Sequence, residues 1–276
     1  MPDETTQSQD QIDPEEDELA STKMSFLEHL EELRIRLVRC ALAIAVCFVA
    51  AYIFKEQLYH YLAMPLYKAM PAGSKFQFTA PAEAFFTYIK IAFLASVVGA
   101  SPIIFYQLWR FISPGLYSHE RRAIWPFVLV SSVLFIAGAI FAYTIVFPYA
   151  FQFFSSFVTP DIEFRPKMGE YLSFTSTLLF AFGIVFEMPL VLVFLGRIGV
   201  INHRQLQSFR KYAILVMFAA AAMFTPPDVV SQLFMAVPLM VLYEISIWLV
   251  AASEKKKAQR EAEFEADLSG GDEGEG

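Results

Sequence analysis

The chain has 276 residues, 56% of them hydrophobic, and its mean hydropathy is +0.47. Soluble domains average roughly 45–50% apolar residues even when glycine is counted, so this chain is more apolar than an ordinary water-soluble fold and its composition agrees with a membrane protein. The net charge of −7 comes from the two ends. Residues 1–20 hold eight acids and residues 261–276 hold seven, without a single base, which leaves residues 21–260 at +8.

Six apolar segments divide the chain, and their lengths suit a lipid bilayer. A helix rises about 1.5 Å per residue and must cross about 30 Å of hydrocarbon, so about 20 apolar residues suffice for one span. The sequence therefore predicts an all-α membrane protein with six transmembrane helices in contact with membrane lipid. The predicted spans are 37–54, 85–106, 124–147, 172–195, 212–224 and 229–250.

These spans make up a predicted membrane domain over residues 24–252. The flanking segments 1–23 and 253–276 are rich in charged and small polar residues, and we predict that both are disordered, because such segments cannot bury enough apolar area to fold. Some 36 mostly polar residues precede the first span, so we expect no cleavable signal peptide.

Basic residues alternate between the connections that join the spans. The N-terminal flank, the second and fourth connections and the C-terminal flank carry fourteen Lys and Arg residues near the spans, whereas the first, third and fifth connections carry five. By the positive-inside rule, this asymmetry predicts that both termini are cytoplasmic.

An amphipathic helix is predicted to lead into the first span. Ser25 and Glu28 have capping-box spacing, and leucines recur at helical spacing from Leu27 onward. Glu32 and Arg36 lie four residues apart, and an exposed ion pair of this kind contributes only a few tenths of a kcal/mol, roughly. From the residues alone, we favour such a structural pair for Glu32.

The second connection contains a Ser-Pro-Gly break at 113–115 and a predicted helix start at Ser118. Glu120 falls in the first turn of that helix, where the helix dipole favours a carboxylate. Phe111 lies beside the break at interfacial depth, where aromatic residues anchor helices. These structural roles stay open for both residues.

Glu187 is an acid within the fourth predicted span. Burying it charged would cost several kcal/mol, so an acid at this depth indicates a functional site. A protonated Glu187 could instead donate to the Val185 carbonyl, which Pro189 leaves free. Both interpretations stay open.

The fifth predicted span, 212–224, would cover only about 20 Å of about 30 Å of hydrocarbon. Either Lys211 and Tyr212 extend toward the headgroups, or the bilayer is thinner beside this helix. Asp228 then has the position of an N-cap for the sixth helix. Gln232, one turn further, would lie at membrane depth as a hydrogen-bonding group for another helix.

Several chemistries are not encoded. The sequence contains no G-x-x-x-x-G-K-[ST] phosphate loop and no H-E-x-x-H pair, and its four histidines are scattered outside the spans. Its two cysteines, Cys40 and Cys47, would lie about 10 Å apart along one helix, too far for a disulfide. We expect no enzymatic activity, metal, cofactor or nucleic-acid partner.

The polar motifs together resemble the TatC family, the polytopic receptor subunits of the twin-arginine protein translocase. The matching runs are HLEELR at 29–34, YQLWRFISPGLY at 106–117, ERR at 120–122, FG and FE at 182–187, TPPD at 225–228 and SQ at 231–232. They occur in the family's order and spacing between residues 24 and 250. The combination is highly specific, although each run alone would be weak.

This resemblance implies a receptor in the bacterial inner membrane for signal peptides with two consecutive arginines. It implies a concave, glove-like bundle with short fifth and sixth helices. In the family, acids at the positions of Glu32 and Glu120 engage the arginine pair, and Arg34 and Phe111 contribute. A carboxylate accepts the planar guanidinium fork in two hydrogen bonds, whereas lysine offers only a point charge.

The resemblance also implies that single-span TatA and TatB dock at the fifth and sixth helices, within an oligomeric translocase driven by the proton-motive force. Thr225, Asp228 and Gln232 are our candidate contacts, and Glu187 would face the concave side. One alternative is a small-solute secondary transporter, which six spans and one buried acid would fit, although no inverted repeat is evident. A purely structural scaffold would leave Glu32 and Glu120 free to vary.

Overall fold

The structure is a computed structural model that describes residues 14–69, 76–77, 81–112, 124–156, 166–224 and 229–271. Over these residues the secondary structure is helical, apart from turns and one isolated parallel bridge between Gln77 and Lys167. The prediction of an all-α protein is therefore confirmed.

Nine α-helices and one π turn follow one another along the described chain. They are α1 Pro14–Ile53, α2 Lys55–Ala69, α3 Glu83–Ile112, α4 Ile124–Phe141, the π turn Ala142–Val146, α5 Phe147–Ser155, α6 Met168–Phe186, α7 Met188–Arg197, α8 His203–Phe224 and α9 Val229–Gly271. Five described stretches are long and apolar enough to cross a membrane: Leu27–Ile53, Glu83–Ile112, Ile124–Ser155, Met168–Arg197 and Gln232–Arg260. They correspond to five of the six predicted spans.

The fifth predicted span is the exception, because α8 does not belong to that set. This helix has 22 residues, which corresponds to a length of about 33 Å. Its first nine residues, 203–211, are mostly polar, and only 212–224 is apolar. The helix is therefore longer than the sequence predicted, while its apolar part remains short.

The charged ends also differ from the prediction. The first helix begins at Pro14 and the last continues to Gly271, so parts of both segments that we predicted to be disordered are helical. After residue 252, α9 is rich in Ala, Glu, Lys, Arg and Gln, which are strong helix formers. They extend a helix that has already started and so avoid the cost of nucleation. The sixth helix, expected to be short, accordingly has 43 residues.

Pro65 and Pro102 lie inside helices, and in both cases a hydroxyl group donates to the backbone carbonyl that the proline leaves free. Pro65 has no N–H for the Tyr61 carbonyl, which instead accepts a hydrogen bond from the Tyr143 hydroxyl at 2.6 Å. Tyr143 belongs to the π turn, so this bond joins the end of the third span to α2. In α3, Pro102 leaves the Val98 carbonyl free, and the adjacent Ser101 hydroxyl donates to it at 2.7 Å.

Close packing of α4 against α6 holds the centre of the bundle. Gly138 of α4 faces the backbone of Phe182, and Gly183 of α6 faces the ring of Phe135. Both phenylalanines are buried. Small residues at such contacts let membrane helices approach closely, and the resulting van der Waals packing drives their association.

We expect Gly138→Ala to destabilise the bundle by about 1–3 kcal/mol. The added Cβ would lie 2.5 Å from the Phe182 carbonyl oxygen, which is backbone and cannot move aside. The measurement is the midpoint of thermal unfolding of the purified protein in detergent. Gly99→Ala is the matched control, since its Cβ would lie 3.7 Å from the Cys47 sulfur. Equal midpoints for the two variants would contradict the tight contact.

Candidate functional site

Glu32, the first predicted site residue, is held by Arg36 on the same face of α1. One carboxylate oxygen, Oε1, accepts hydrogen bonds from both Nε and Nη2 of Arg36, the first at 3.2 Å. The Arg36 side chain is 9% exposed and that of Glu32 is 39% exposed. Nη1 of Arg36 also donates to the Gln107 carbonyl of α3 at 3.5 Å. The pair therefore links two helices and is more than the exposed surface pair expected from the spacing.

Phe111, near the end of α3, lies beside the same part of α1. Its ring stacks on the imidazole of His29, with centroids 4.4 Å apart and planes 21° from parallel. His29 lies three residues before Glu32, so the two side chains are neighbours on the helix surface. The structure thus brings Glu32 and Phe111 together around His29. Sequence reasoning missed this residue, although its spacing from Glu32 was the available signal.

Arg34 does not join this cluster. It is exposed, and two residues along a helix turn a side chain by about 200° away from Glu32. The predicted site residues Glu120, Thr225 and Asp228 lie outside the described residues.

Glu187 occupies the break between α6 and α7 and is 9% exposed. Its Oε1 has no hydrogen-bond partner among the described residues. From the sequence, the Val185 carbonyl could accept a hydrogen bond from the protonated carboxyl group. In the structure, the backbone N–H of Glu187 approaches that carbonyl instead. The side chain is therefore not used to cap the broken helix.

The polar surroundings of Glu187 come from neighbouring helices. Ser131 of α4 lies within reach of its carboxyl group. The Ser131 hydroxyl oxygen in turn accepts a hydrogen bond of 2.8 Å from the indole N–H of Trp109 on α3. Three spans therefore contribute to one buried polar group, an arrangement that can hold a protonated or a charged acid away from lipid.

Gln232 joins the last two helices near the start of α9. Its side-chain Nε2 donates to the Phe218 carbonyl of α8 at 2.9 Å. The amide oxygen is the remaining hydrogen-bonding atom of this side chain. On another face of α9, a groove of about 460 Å³ runs between this helix and the π turn, and Gln232 is not among the residues that line it. The ring of Tyr149 from α5 stacks on Phe234 at its wall, with centroids 5.6 Å apart.

His, Cys, Asp and Glu side chains are the candidate metal ligands among the described residues. Over the described ranges, no group of three or more His, Cys, Asp or Glu residues could hold a metal ion. Cys40 and Cys47 are free thiols.

Long apolar helices with polar clusters at their ends and breaks define a multi-pass membrane protein. A family model described as Sec-independent protein translocase protein (TatC) matches residues 28–238. The chain is 52% identical over 241 residues to the TatC protein of Desulforapulum autotrophicum, covering 87% of this chain and 89% of that protein. It is 47% identical over 244 residues to the TatC protein of Magnetococcus marinus, covering 88% and 90%.

The fold agrees with these relatives. A crystal structure of the twin-arginine translocase receptor TatC is similar with a TM-score of 0.74 and 43% sequence identity, covering 82% of this chain and 99% of that one. The chain belongs to the TatC family, as the motif resemblance implied. It is a subunit of the Sec-independent, twin-arginine protein translocase, with a receptor-type role, and belongs to a family of transport proteins, not of enzymes.

Proposed function

We propose that this chain binds twin-arginine signal peptides and that the cluster of Glu32, Arg36, His29 and Phe111 forms part of their site. The observation that carries the proposal is a half-exposed carboxylate beside a stacked pair of rings. A guanidinium forms charge-assisted hydrogen bonds to a carboxylate and also stacks on an aromatic face. The cluster offers both contacts within one turn of α1.

Two consecutive arginines need two acceptors. Neighbouring side chains of an extended peptide point to opposite sides, so one carboxylate cannot hold both guanidinium groups. We assign one arginine to Glu32 and the other to Glu120, whose place at a predicted helix start favours an acid. Arg34, exposed on the far side of α1, is proposed to contact other parts of the peptide.

In the proposed orientation, this site faces the bacterial cytoplasm and both termini lie on the same side of the inner membrane. The support is the alternation of basic residues between connections, fourteen on one side against five on the other. Termini on one side require an even number of spans. The five long apolar stretches therefore need α8 as the sixth crossing. Its short apolar part is expected to thin the bilayer locally.

TatA and TatB are the proposed partners at α8 and α9, in an oligomeric translocase that exports folded proteins using the proton-motive force. The groove beside Phe234 is apolar, which suits an apolar partner helix, and Gln232 near the start of α9 is proposed as a separate polar contact. Thr225 and Asp228 are proposed as further contacts at this end of the helices. No observation favours the alternative of a small-solute transporter.

Glu32→Gln is expected to abolish the preference of the protein for an Arg-Arg signal peptide over the same peptide with Lys-Lys. The substitution keeps the size of the side chain but removes the anionic acceptor of the guanidinium. The measurement is photocrosslinking of each peptide to inverted and to right-side-out membrane vesicles. Crosslinks should form only where the cytoplasmic face is accessible. An undiminished Arg-Arg preference in Glu32→Gln would overturn the site.

Gln232→Leu is expected to reduce the amount of TatA or TatB that copurifies with the protein severalfold, because it removes a polar contact within an apolar interface. Gln207→Leu is the matched control, since Gln207 is exposed in the polar part of α8. The unfolding midpoint of each variant shows whether losing the bond to the Phe218 carbonyl alone explains the result. Full copurification with Gln232→Leu would exclude Gln232 as a contact.

Glu187→Gln is expected to lower the transport rate about tenfold or more while signal-peptide binding is retained, because an amide cannot carry a proton or a negative charge. The measurement is export of a folded reporter in vesicles over a range of pH. Glu170→Gln is the control, since Glu170 lies in the first turn of α6, the helix that ends just before Glu187, and its side chain is 74% exposed. Transport equal to the unsubstituted protein at every pH would exclude a role for this acid.

A further inference from the structure

The hydrogen bonds of Glu32 use only half of its carboxylate. Both Nε and Nη2 of Arg36 donate to Oε1, and no hydrogen bond between described residues reaches Oε2. The usual bidentate pair would place one N–H on each oxygen. Here both N–H groups of the guanidinium donate to Oε1, so Oε2 of Glu32 can accept a hydrogen bond from another donor.

Arg36 is poorly placed to leave this contact. Its side chain is 9% exposed, and its Nη1 is tied to the Gln107 carbonyl of α3. A buried guanidinium that lost its carboxylate would be left as an uncompensated charge, which is strongly unfavourable. An incoming cation is therefore expected to add to the Arg36–Glu32 pair and not to displace Arg36.

We propose that Arg36 is a positioning residue for arginine recognition: it holds Glu32 by Oε1 and presents Oε2 in a fixed orientation to a guanidinium of the signal peptide. This inference rests on the proposed function of Glu32. Under this proposal, Arg36 of the protein makes the site prefer arginine over lysine in the signal peptide.

The selectivity follows from fixing the plane of the carboxylate. A guanidinium is planar, and it fits an oxygen held in one orientation beside the faces of His29 and Phe111. An ammonium is a compact charge with rotatable donors and has no such requirement. A carboxylate that is free to rotate would accept either group. Arg36 thus fixes the orientation of the Glu32 carboxylate. Its own positive charge, however, weakens the electrostatic attraction of the site for a positively charged ligand.

Charge and geometry therefore predict opposite outcomes when Arg36 is replaced. Arg36→Gln makes the site more negative, so a purely electrostatic site would bind both peptides more tightly. Under our proposal, affinity for the Arg-Arg peptide falls about tenfold, the scale expected for one misplaced charge-assisted contact. Affinity for the Lys-Lys peptide stays within about twofold or rises. Arg36→Lys keeps the positive charge but removes the planar guanidinium, so this variant should also lose the preference for the Arg-Arg peptide.

The experiment measures the affinities of labelled Arg-Arg and Lys-Lys signal peptides for the purified full-length protein in lipid nanodiscs. The variants are Arg36→Gln, Arg36→Lys, Glu32→Gln and the double variant Arg36→Lys/Glu32→Gln. Arg39→Gln is the matched control, because it removes the same charge from an exposed position on the same helix. The double variant should bind as Glu32→Gln alone, because Arg36 acts through Glu32.

Each outcome decides between the possibilities. A lost Arg-Arg preference in both Arg36 variants, with the Lys-Lys affinity kept, supports the positioning role. A preference retained in both, but lost in Glu32→Gln, overturns it and leaves the proposed function standing. Tighter Arg-Arg binding by Arg36→Gln would make Arg36 a competitor and also overturn it. Equal losses for both peptides would indicate a structural role only, and no preference in the unsubstituted protein would overturn the proposed function itself.

Discussion

Lipid hydrocarbon offers no hydrogen bonds, so every backbone polar group inside it must find a partner within the protein. Continuous helices meet this requirement, and the long apolar stretches of the chain are helical for that reason. At two prolines a hydroxyl supplies the missing hydrogen bond: Tyr143 donates to the Tyr61 carbonyl and Ser101 to the Val98 carbonyl. The first of these bonds also joins two separate elements, so the same constraint helps to assemble the tertiary structure.

The exceptions to this pattern are the positions where we place function. At Glu187 the helix is broken, and a carboxyl oxygen is left without a described partner. Such an arrangement is costly in a membrane, and neighbouring spans surround it with the hydroxyl of Ser131 and the indole of Trp109. For this reason we propose a role in transport for Glu187.

At the N-terminal end of the first span, an ion pair between Arg36 and Glu32 orients the Glu32 carboxylate. Arg36 is buried between α1 and α3 and holds Glu32, while His29 and Phe111 stack beside them. Each of these contacts limits the movement of a neighbour. In our proposal, they present one carboxylate oxygen and the neighbouring rings to the signal peptide. A site of this kind distinguishes cations by shape, which net charge alone cannot do.

Hydropathy and charge alone determined that the chain is an all-α membrane protein and where five long spans lie, because burial in lipid imposes a length and a composition on each segment. Because residues 203–211 are mostly polar, hydropathy predicts only the apolar part of α8, and composition does not predict the helical parts of the charged ends, 14–23 and 253–271. Periodicity put Glu32 and Arg36 on one face of α1. Only the tertiary structure decided that Arg36 is buried against α3, that His29 stacks on Phe111 and that Glu187 faces Ser131. Those contacts join residues distant in the chain, and no local pattern encodes them.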